Sequence, residues 1–140
     1  MNKVLLGADV LLDLFLEREP HHDAALRLLT SLRRGPTRGF TSPVILANVN
    51  SILAKARGKT YSLEKLRSLR GMLNIAPIDQ GMVDAALNSP HKDFEDSMQM
   101  QCALGNGIGT LITRNIEHYS KSRVRVTTPA EYLAALPAGK

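Results

Sequence analysis

Acidic side chains interrupt two apolar stretches of the chain, where a charge needs a partner. The stretch "LLGADVLLDLF" (5–15) reads as a buried strand that turns into a helix, yet it contains Asp9 and Asp13. The second stretch is "HKDFEDSMQ" (91–99) with the residues that follow it. Here Asp93 and Asp96 are three residues apart and so share a helix face with apolar neighbours. A carboxylate costs several kcal/mol to bury without a cation or donors, and hard divalent ions such as Mg²⁺ prefer oxygen ligands. Asp93 and Asp96 therefore suggest a metal site.

A structural explanation competes with this one. Asp93 stands where a helix is predicted to begin, so it could be the N-cap, and Asp96 could be a first-turn acid favoured by the helix dipole. From the residues alone both explanations remain open.

Asn48 is a third candidate for a site residue. It lies in a predicted helix over 43–57, on the side that carries Ile45, Val49 and Ile52, which we predict to face inward. It is either a core amide with its hydrogen bonds satisfied or a polar group directed at a site.

Short β-type runs alternate with segments of helical period along the chain. The strands are predicted at 3–6, 39–41, 74–78, 109–113 and 124–128. The helices that follow the first helical segment are predicted at 21–34, 43–57, 62–73, 80–88, 93–104 and 129–136. This alternation predicts an α/β fold, a three-layer α/β/α domain with a mostly parallel sheet of about five strands.

The predicted sheet gives the polar residues a common location. Ligands of open α/β sheets bind beyond the carboxyl ends of the strands. Gly7 and Asp9 follow the first strand, and Arg114 and Asn115 follow the fourth, so these two strand ends could meet at one site.

The positive charge of the chain is unevenly distributed. The formal net charge is +5, and between Ala24 and Ile78 ten basic residues stand against one acid, Glu64. Such a stretch is either a solvated basic face or a surface that contacts phosphates.

The remaining composition points to one domain in a reducing compartment. The single cysteine, Cys102, excludes a disulfide within the chain, and no apolar stretch is long enough for a membrane span. We expect a cytoplasmic protein with one domain over residues 1–137 and a frayed tail at 138–140.

The ordered set of motifs resembles a known family. These motifs are "LLGADVLLDLFLERE", the helix with Asn48, "DFEDSMQMQCAL", "LITRNIEHYSKS" and "VTTPAEYL". Together they resemble PIN-domain proteins of the VapC-like toxin type, from about Val4 to Leu133. The resemblance implies a ribonuclease that depends on Mg²⁺ or Mn²⁺, an RNA substrate, an antitoxin partner and a homodimer.

The resemblance also assigns roles to residues. The positions of the family's four principal acids match Gly7, Asn48, Asp96 and Asn115, with Asp93 as a helper, and His118 matches a position that often holds a further aspartate. The implied catalytic set is thus Asp96, Asn115, Asn48, Asp93 and Gly7, the last being the site of a missing aspartate. The implied metal ligands are Asp96, Asp93 and Asp9, and the residues expected to contact RNA are Arg33, Arg34, Arg38, Lys55, Arg57, Lys59 and Arg114.

Gly7 is the departure with the largest consequence. Glycine offers no side-chain oxygen, so we expect weaker metal binding and an activity reduced by orders of magnitude. Three explanations compete: the glycine was introduced by selection or engineering, it is natural in a catalytically weak relative, or Asp9 has taken over the role.

Two other functions compete with the nuclease. One is a catalytically inactive PIN-like protein that binds RNA or an antitoxin-type partner. The other is a haloacid-dehalogenase-like phosphatase, which needs an aspartate nucleophile that position 7 cannot provide.

Overall fold

The structure of the chain, a computed structural model, describes residues 2–89, 93–119 and 123–137. The tail expected at 138–140 lies outside the described residues. The strands are β1 (Lys3–Leu6), β2 (Arg38–Thr41), β3 (Asn74–Ile75), β4 (Thr110–Ile112) and β5 (Arg125–Thr127). The helices are α1 (Ala8–Phe15), α2 (His22–Arg34), α3 (Pro43–Arg57), α4 (Lys59–Met72), α5 (Gln80–Leu87), α6 (Phe94–Gly105) and α7 (Pro129–Ala134), and a 3₁₀ turn spans Ile116–Tyr119.

The five strands form one sheet in the order β3-β2-β1-β4-β5, and every neighbouring pair is parallel. Helices flank this sheet, which confirms the predicted three-layer α/β/α fold. Strands covered on both faces read as continuous apolar runs, and Val4, Leu5 and Leu6 of the central strand are accordingly almost fully buried.

The order of the strands in the sheet determines where a ligand site is expected. From β1 the chain winds outward through β2 to β3, and it later returns to the other side of β1 to form β4 and β5. The direction of winding therefore reverses between β1 and β4, and the carboxyl ends of these two strands bound the crevice where such sheets bind ligands.

Some predicted boundaries were wrong. β3 has two residues rather than the five predicted over 74–78, because Pro77 has no N–H to donate to a sheet ladder. The predicted inward position of Ile52 was also wrong, since its side chain is 44% exposed while Leu53 is fully buried. The buried stripe of α3 is Ile45, Val49 and Leu53.

None of the described helices combines the length and the apolar character that a membrane span requires.

Helix α3 begins as the sequence predicted. Pro43 occupies its first turn, and the Ser42 hydroxyl, fully buried, accepts a hydrogen bond from the Ile45 N–H at 3.2 Å. Proline suits the first turn because the N–H it lacks would have no partner there. The cap thus fixes the start of α3 just after the carboxyl end of β2.

Replacing this cap should weaken the fold. We expect Ser42→Ala to lower the free energy of unfolding by about 1 kcal/mol, because the Ile45 N–H loses its buried acceptor. Urea denaturation measures this loss. Ser51→Ala, an exposed position in the same helix, should change stability by less than about 0.5 kcal/mol. Equal losses for the two variants would contradict the assignment of the cap.

Candidate functional site at the ends of β1 and β4

Gly7 lies directly after β1 and joins it to β4. Its N–H donates to the carbonyl oxygen of Ile112 at 2.9 Å, which continues the ladder between the two strands. Its φ of −70° and ψ of 161° belong to the extended region, which every residue type can adopt. The backbone conformation therefore gives no reason for a glycine at this position.

Asp9, in the first turn of α1, is held by three donors. Its carboxylate accepts hydrogen bonds from the backbone N–H of Val10 at 2.9 Å, from the Thr113 hydroxyl at 3.0 Å and from the Arg114 N–H at 2.8 Å. Two of the donors come from the segment after β4. The Asp9 side chain thus ties the start of α1 to the end of the neighbouring strand.

Asp13, one turn further along α1, is a buried carboxylate between two guanidinium groups. Its side chain is 1% exposed, and it accepts from Arg18 Nε at 2.8 Å and from both Nε and Nη2 of Arg114, at 2.5 and 3.0 Å. The hydrogen bond from Arg114 to Asp13 raises the pKa of Arg114, and the nearby charge of Asp9 raises it further. We call this ion-paired group, formed by Asp13, Arg18 and Arg114, the Asp13 clamp.

The clamp changes how Arg114 is interpreted. Arg114 is among the residues predicted to contact RNA, but its guanidinium is bonded to Asp13 and its side chain is only 30% exposed. A role in RNA binding remains a prediction for Arg114, whose guanidinium is bonded to Asp13.

The second acidic motif lies at the start of α6. The Asp93 carboxylate accepts from the Asp96 N–H at 2.9 Å, so the N-cap explanation of Asp93 is confirmed. Asp96 accepts from the Tyr119 hydroxyl at 3.1 Å, and its other oxygen lies 3.4 Å from His118 Nδ1. Its side chain remains 18% exposed. Asp96 thus sits between α6 and the 3₁₀ turn that follows β4.

The hydroxyl of Tyr119 connects the two motifs electrostatically. Burial raises the pKa of Tyr119 most, followed by the charge of Asp96 and its hydrogen bond, and then by the charges of Asp9 and Asp93. Asp9 is hydrogen-bonded to Thr113 and Arg114, and Asp96 to Tyr119, so both motifs contact the segment that follows β4 and face the same region.

The amides predicted for the site lie around this region. Asn48 is half-buried and its Nδ2 lies 3.4 Å from Glu95 Oε2, which links α3 to the start of α6. Asn115 follows β4, and its backbone N–H donates to the Thr113 hydroxyl at 3.1 Å.

Asp13, Glu95, Thr113 and Tyr119 were not identified as site residues from the sequence. Asp13 alone carried a usable signal, since a carboxylate four residues after Asp9 lies on the same helix face amid leucines and requires a cation. The contacts of the other residues depend on the packing of distant segments.

The carboxylates do not form a ready-made metal site. Among residues 2–89, 93–119 and 123–137, no three His, Cys, Asp or Glu side chains are grouped so that they could hold a metal ion. Asp93 is occupied as a helix cap, Asp9 already accepts three hydrogen bonds, and position 7 has no side chain. The oxygen atoms of these side chains therefore do not fit a resident Mg²⁺, which requires near-octahedral oxygen ligation.

The structure divides the predicted RNA-contacting residues between different places. Arg33 and Arg34 end α2, and Arg38 begins β2. These three arginines lie at the amino ends of the strands, whereas Gly7 lies at the carboxyl end of β1. Lys55, Arg57 and Lys59 surround the junction of α3 and α4, where Arg57 lies over the ring of Tyr61.

Comparisons with known proteins agree with this architecture. A family described as PIN domain matches residues 3–117, and the chain therefore belongs to the PIN-domain family. A curated relative, "Ribonuclease VapC1" of Aquifex aeolicus, is 24% identical over 135 residues, which cover 93% of this chain and 92% of the relative.

Solved structures share the fold. VapBC2 from Rickettsia felis, bound to a DNA fragment from its promoter, superposes with a TM-score of 0.71 at 16% identity, covering 89% of this chain and 96% of that chain. A toxin-antitoxin complex from Klebsiella pneumoniae superposes with a TM-score of 0.69 at 22% identity, covering 90% and 97%.

Neutralising Asp13 should destabilise the protein. We expect Asp13→Asn to lower the free energy of unfolding by about 3 kcal/mol, because two guanidinium groups lose the carboxylate that compensates them. Chemical denaturation near neutral pH measures the loss. Asp23→Asn breaks an ion pair with Arg27 in which both side chains are exposed, and it should cost less than about 0.5 kcal/mol. If the two substitutions cost the same, the clamp has no special role.

The raised pKa of Tyr119 predicts its behaviour in alkali. The ordinary tyrosine pKa is about 10, so the Tyr119 hydroxyl should lose its proton at a lower pH in the unfolded chain than in the folded protein. The stability that depends on this proton is therefore complete below about pH 10 and falls as the pH rises further. In the folded protein, the near-ultraviolet tyrosinate signal should be equal for the parent and for Tyr119→Phe up to about pH 11. A smaller signal from the variant in that range would mean that Tyr119 ionises normally.

Proposed function

We propose that this chain is a VapC-like PIN-domain protein of the toxin class, a metal-dependent endoribonuclease whose hydrolysis of RNA phosphodiesters is weakened in this sequence. The observation that carries the proposal is the convergence of the α1 and α6 carboxylates on one region at the ends of β1 and β4. Membership in the PIN-domain family and the relative named as a ribonuclease support the same activity.

Each site residue has a role in this proposal. Asp96 is the main carboxylate, and the Tyr119 hydroxyl orients it. Asp93 and Asp9 are the further acids expected near Mg²⁺ or Mn²⁺, while Asn48 and Asn115 orient ligands or water. Since these donors do not form a complete ligand set, the ion should bind weakly, and this is the proposed cause of the reduced activity.

The partners follow from the same class. Structural neighbours include a toxin-antitoxin complex, so we propose an antitoxin protein as a partner of this chain, together with a homodimer and a cytoplasmic location. The RNA backbone is the proposed contact of the residues with exposed cationic groups, namely Arg33, Arg34, Arg38, Lys55, Arg57 and Lys59, while Arg114 contributes chiefly through the clamp.

A second candidate is a catalytically inactive protein of the same fold that binds RNA or an antitoxin-type partner. The observation in its favour is the lack of a three-ligand group among the described residues. The positive charge of the chain would serve either function.

Cleavage of a mixed structured RNA in the presence of Mn²⁺ tests the proposal. We expect slow cleavage by the parent chain, faster cleavage by Gly7→Asp, and cleavage at least about 100-fold faster than the parent once a carboxylate at position 7 has space beside residue 9. Asp96→Ala in the faster variant should abolish the activity.

Asp23→Ala, an exposed position on α2, serves as the control and should leave the rate unchanged. If neither the parent nor any variant with a carboxylate at position 7 cleaves RNA, the binding protein becomes the better assignment.

A further inference from the structure

The space in front of Gly7 is filled by a neighbouring side chain. An ideal Cβ placed on Gly7 would lie 2.8 Å from Asp9 Oδ1, closer than real Cβ contacts come. The next atoms, the Ile112 carbonyl oxygen and Thr113 Cβ, would both be at 3.4 Å, which is an acceptable contact. The Asp9 carboxylate is thus the obstacle to a side chain at position 7.

An oxygen at the end of a side chain can usually move aside, but this one is restrained. The Asp9 carboxylate accepts from two backbone N–H groups and one hydroxyl. One of the N–H groups belongs to Arg114, whose guanidinium is fixed by a two-bond contact with Asp13. Arg18 donates to the backbone carbonyl of Asp9 at 3.3 Å and to Asp13 as well. Moving the carboxylate therefore requires breaking charge-assisted hydrogen bonds.

We infer that Gly7 and Asp9 form an exchange pair, in which the Asp9 carboxylate, held by the Asp13 clamp, occupies the space of a residue-7 side chain. Any side chain at position 7 then has to displace the Asp9 carboxylate. In the context of the proposed function, on which this consequence rests, Gly7→Asp alone would restore the site poorly. Gly7→Asp combined with Asp9→Ser would restore it better, because the carboxylate at position 7 then takes the place of the Asp9 carboxylate.

The pair has a steric and an electrostatic part, and the substitutions separate them. Gly7→Ala adds only the Cβ, whereas Gly7→Asp also places a second carboxylate within about 4 Å of the first, where like charges repel. Asp9→Asn removes the charge at nearly constant size, and Asp9→Ser removes both the charge and the bulk.

The experiment is a double-mutant cycle in thermal unfolding, in metal-free buffer at neutral pH. With Asp9 present, Gly7→Ala should lower Tm by about 5 °C and Gly7→Asp by more. In the Asp9→Ser background, both changes should leave Tm nearly unaltered. In the Asp9→Asn background, Gly7→Ala and Gly7→Asp should lower Tm by the same amount, because the steric part remains and the repulsion is gone.

The control is Gly71, an exposed helical glycine whose added Cβ would meet nothing within 4 Å. Gly71→Ala should not lower Tm in either background. If Gly7→Ala costs the same with Asp9 and in the Asp9→Ser background, the two positions act independently and the exchange pair is refuted. Should the Gly7→Asp variant fail to fold, the alanine cycle still decides the question.

Metal and RNA assays on the same proteins keep this inference separate from the proposed function. The double variant Gly7→Asp with Asp9→Ser should gain more thermal stability from added Mn²⁺, and cleave RNA faster, than Gly7→Asp alone. Coupled Tm values without RNA cleavage by any variant would support the exchange pair and overturn the nuclease. Cleavage by the double variant together with additive Tm values would support the nuclease and refute the exchange pair.

Discussion

The buried carboxylate of Asp13 is the interaction on which both the fold and the site depend. A charge with 1% exposure cannot remain in the interior without compensation, and two guanidinium groups provide it. One of them, on Arg114, comes from 101 positions further along the chain, so the ion pair joins α1 to the segment that follows β4. Because the backbone N–H of the same arginine binds Asp9, a group that stabilises the interior also sets the position of a site carboxylate.

The charged residues of the site and the apolar residues of the core otherwise lie in separate parts of the molecule. The core consists of apolar side chains such as Leu5, Leu111 and Ile112, which lie within the strands and below the site. Gly7 stands after the last residue of β1 and contributes a backbone hydrogen bond that needs no side chain. The pairing of β1 with β4 therefore does not depend on a side chain at position 7.

The sequence predicted what depends on local pattern. Parallel strands and amphipathic helices leave periodic signals, and the Ser42-Pro43 pair marks a helix start through its own chemistry, so α3 was placed with both of its ends. The meeting of the β1 and β4 ends was also predictable, since it follows from the general behaviour of parallel sheets.

Contacts between distant segments could not be read in the same way. The pairing of Asp13 with Arg114 and of Tyr119 with Asp96 depends on how helices settle on the sheet, and neither pair has a fixed spacing in the chain. The predicted inward stripe through Asn48 and Ile52 is wrong because the buried stripe of α3 runs through Leu53, which its spacing alone does not reveal. The occupied space before Gly7 is likewise invisible to sequence reasoning, which cannot place the oxygen of a neighbouring side chain.

The central position of β1 bears on how the protein is made. This strand pairs with β2 on one side and with β4 on the other, and its register with β4 joins Val4 to Thr110. During synthesis the first strand emerges from the ribosome long before its second neighbour, and until residues 110–114 follow, one edge of β1 is open and Asp13 lacks Arg114. The nascent chain therefore cannot assemble the crevice between β1 and β4 early, and any activity of the site arises only after most of the domain has been translated.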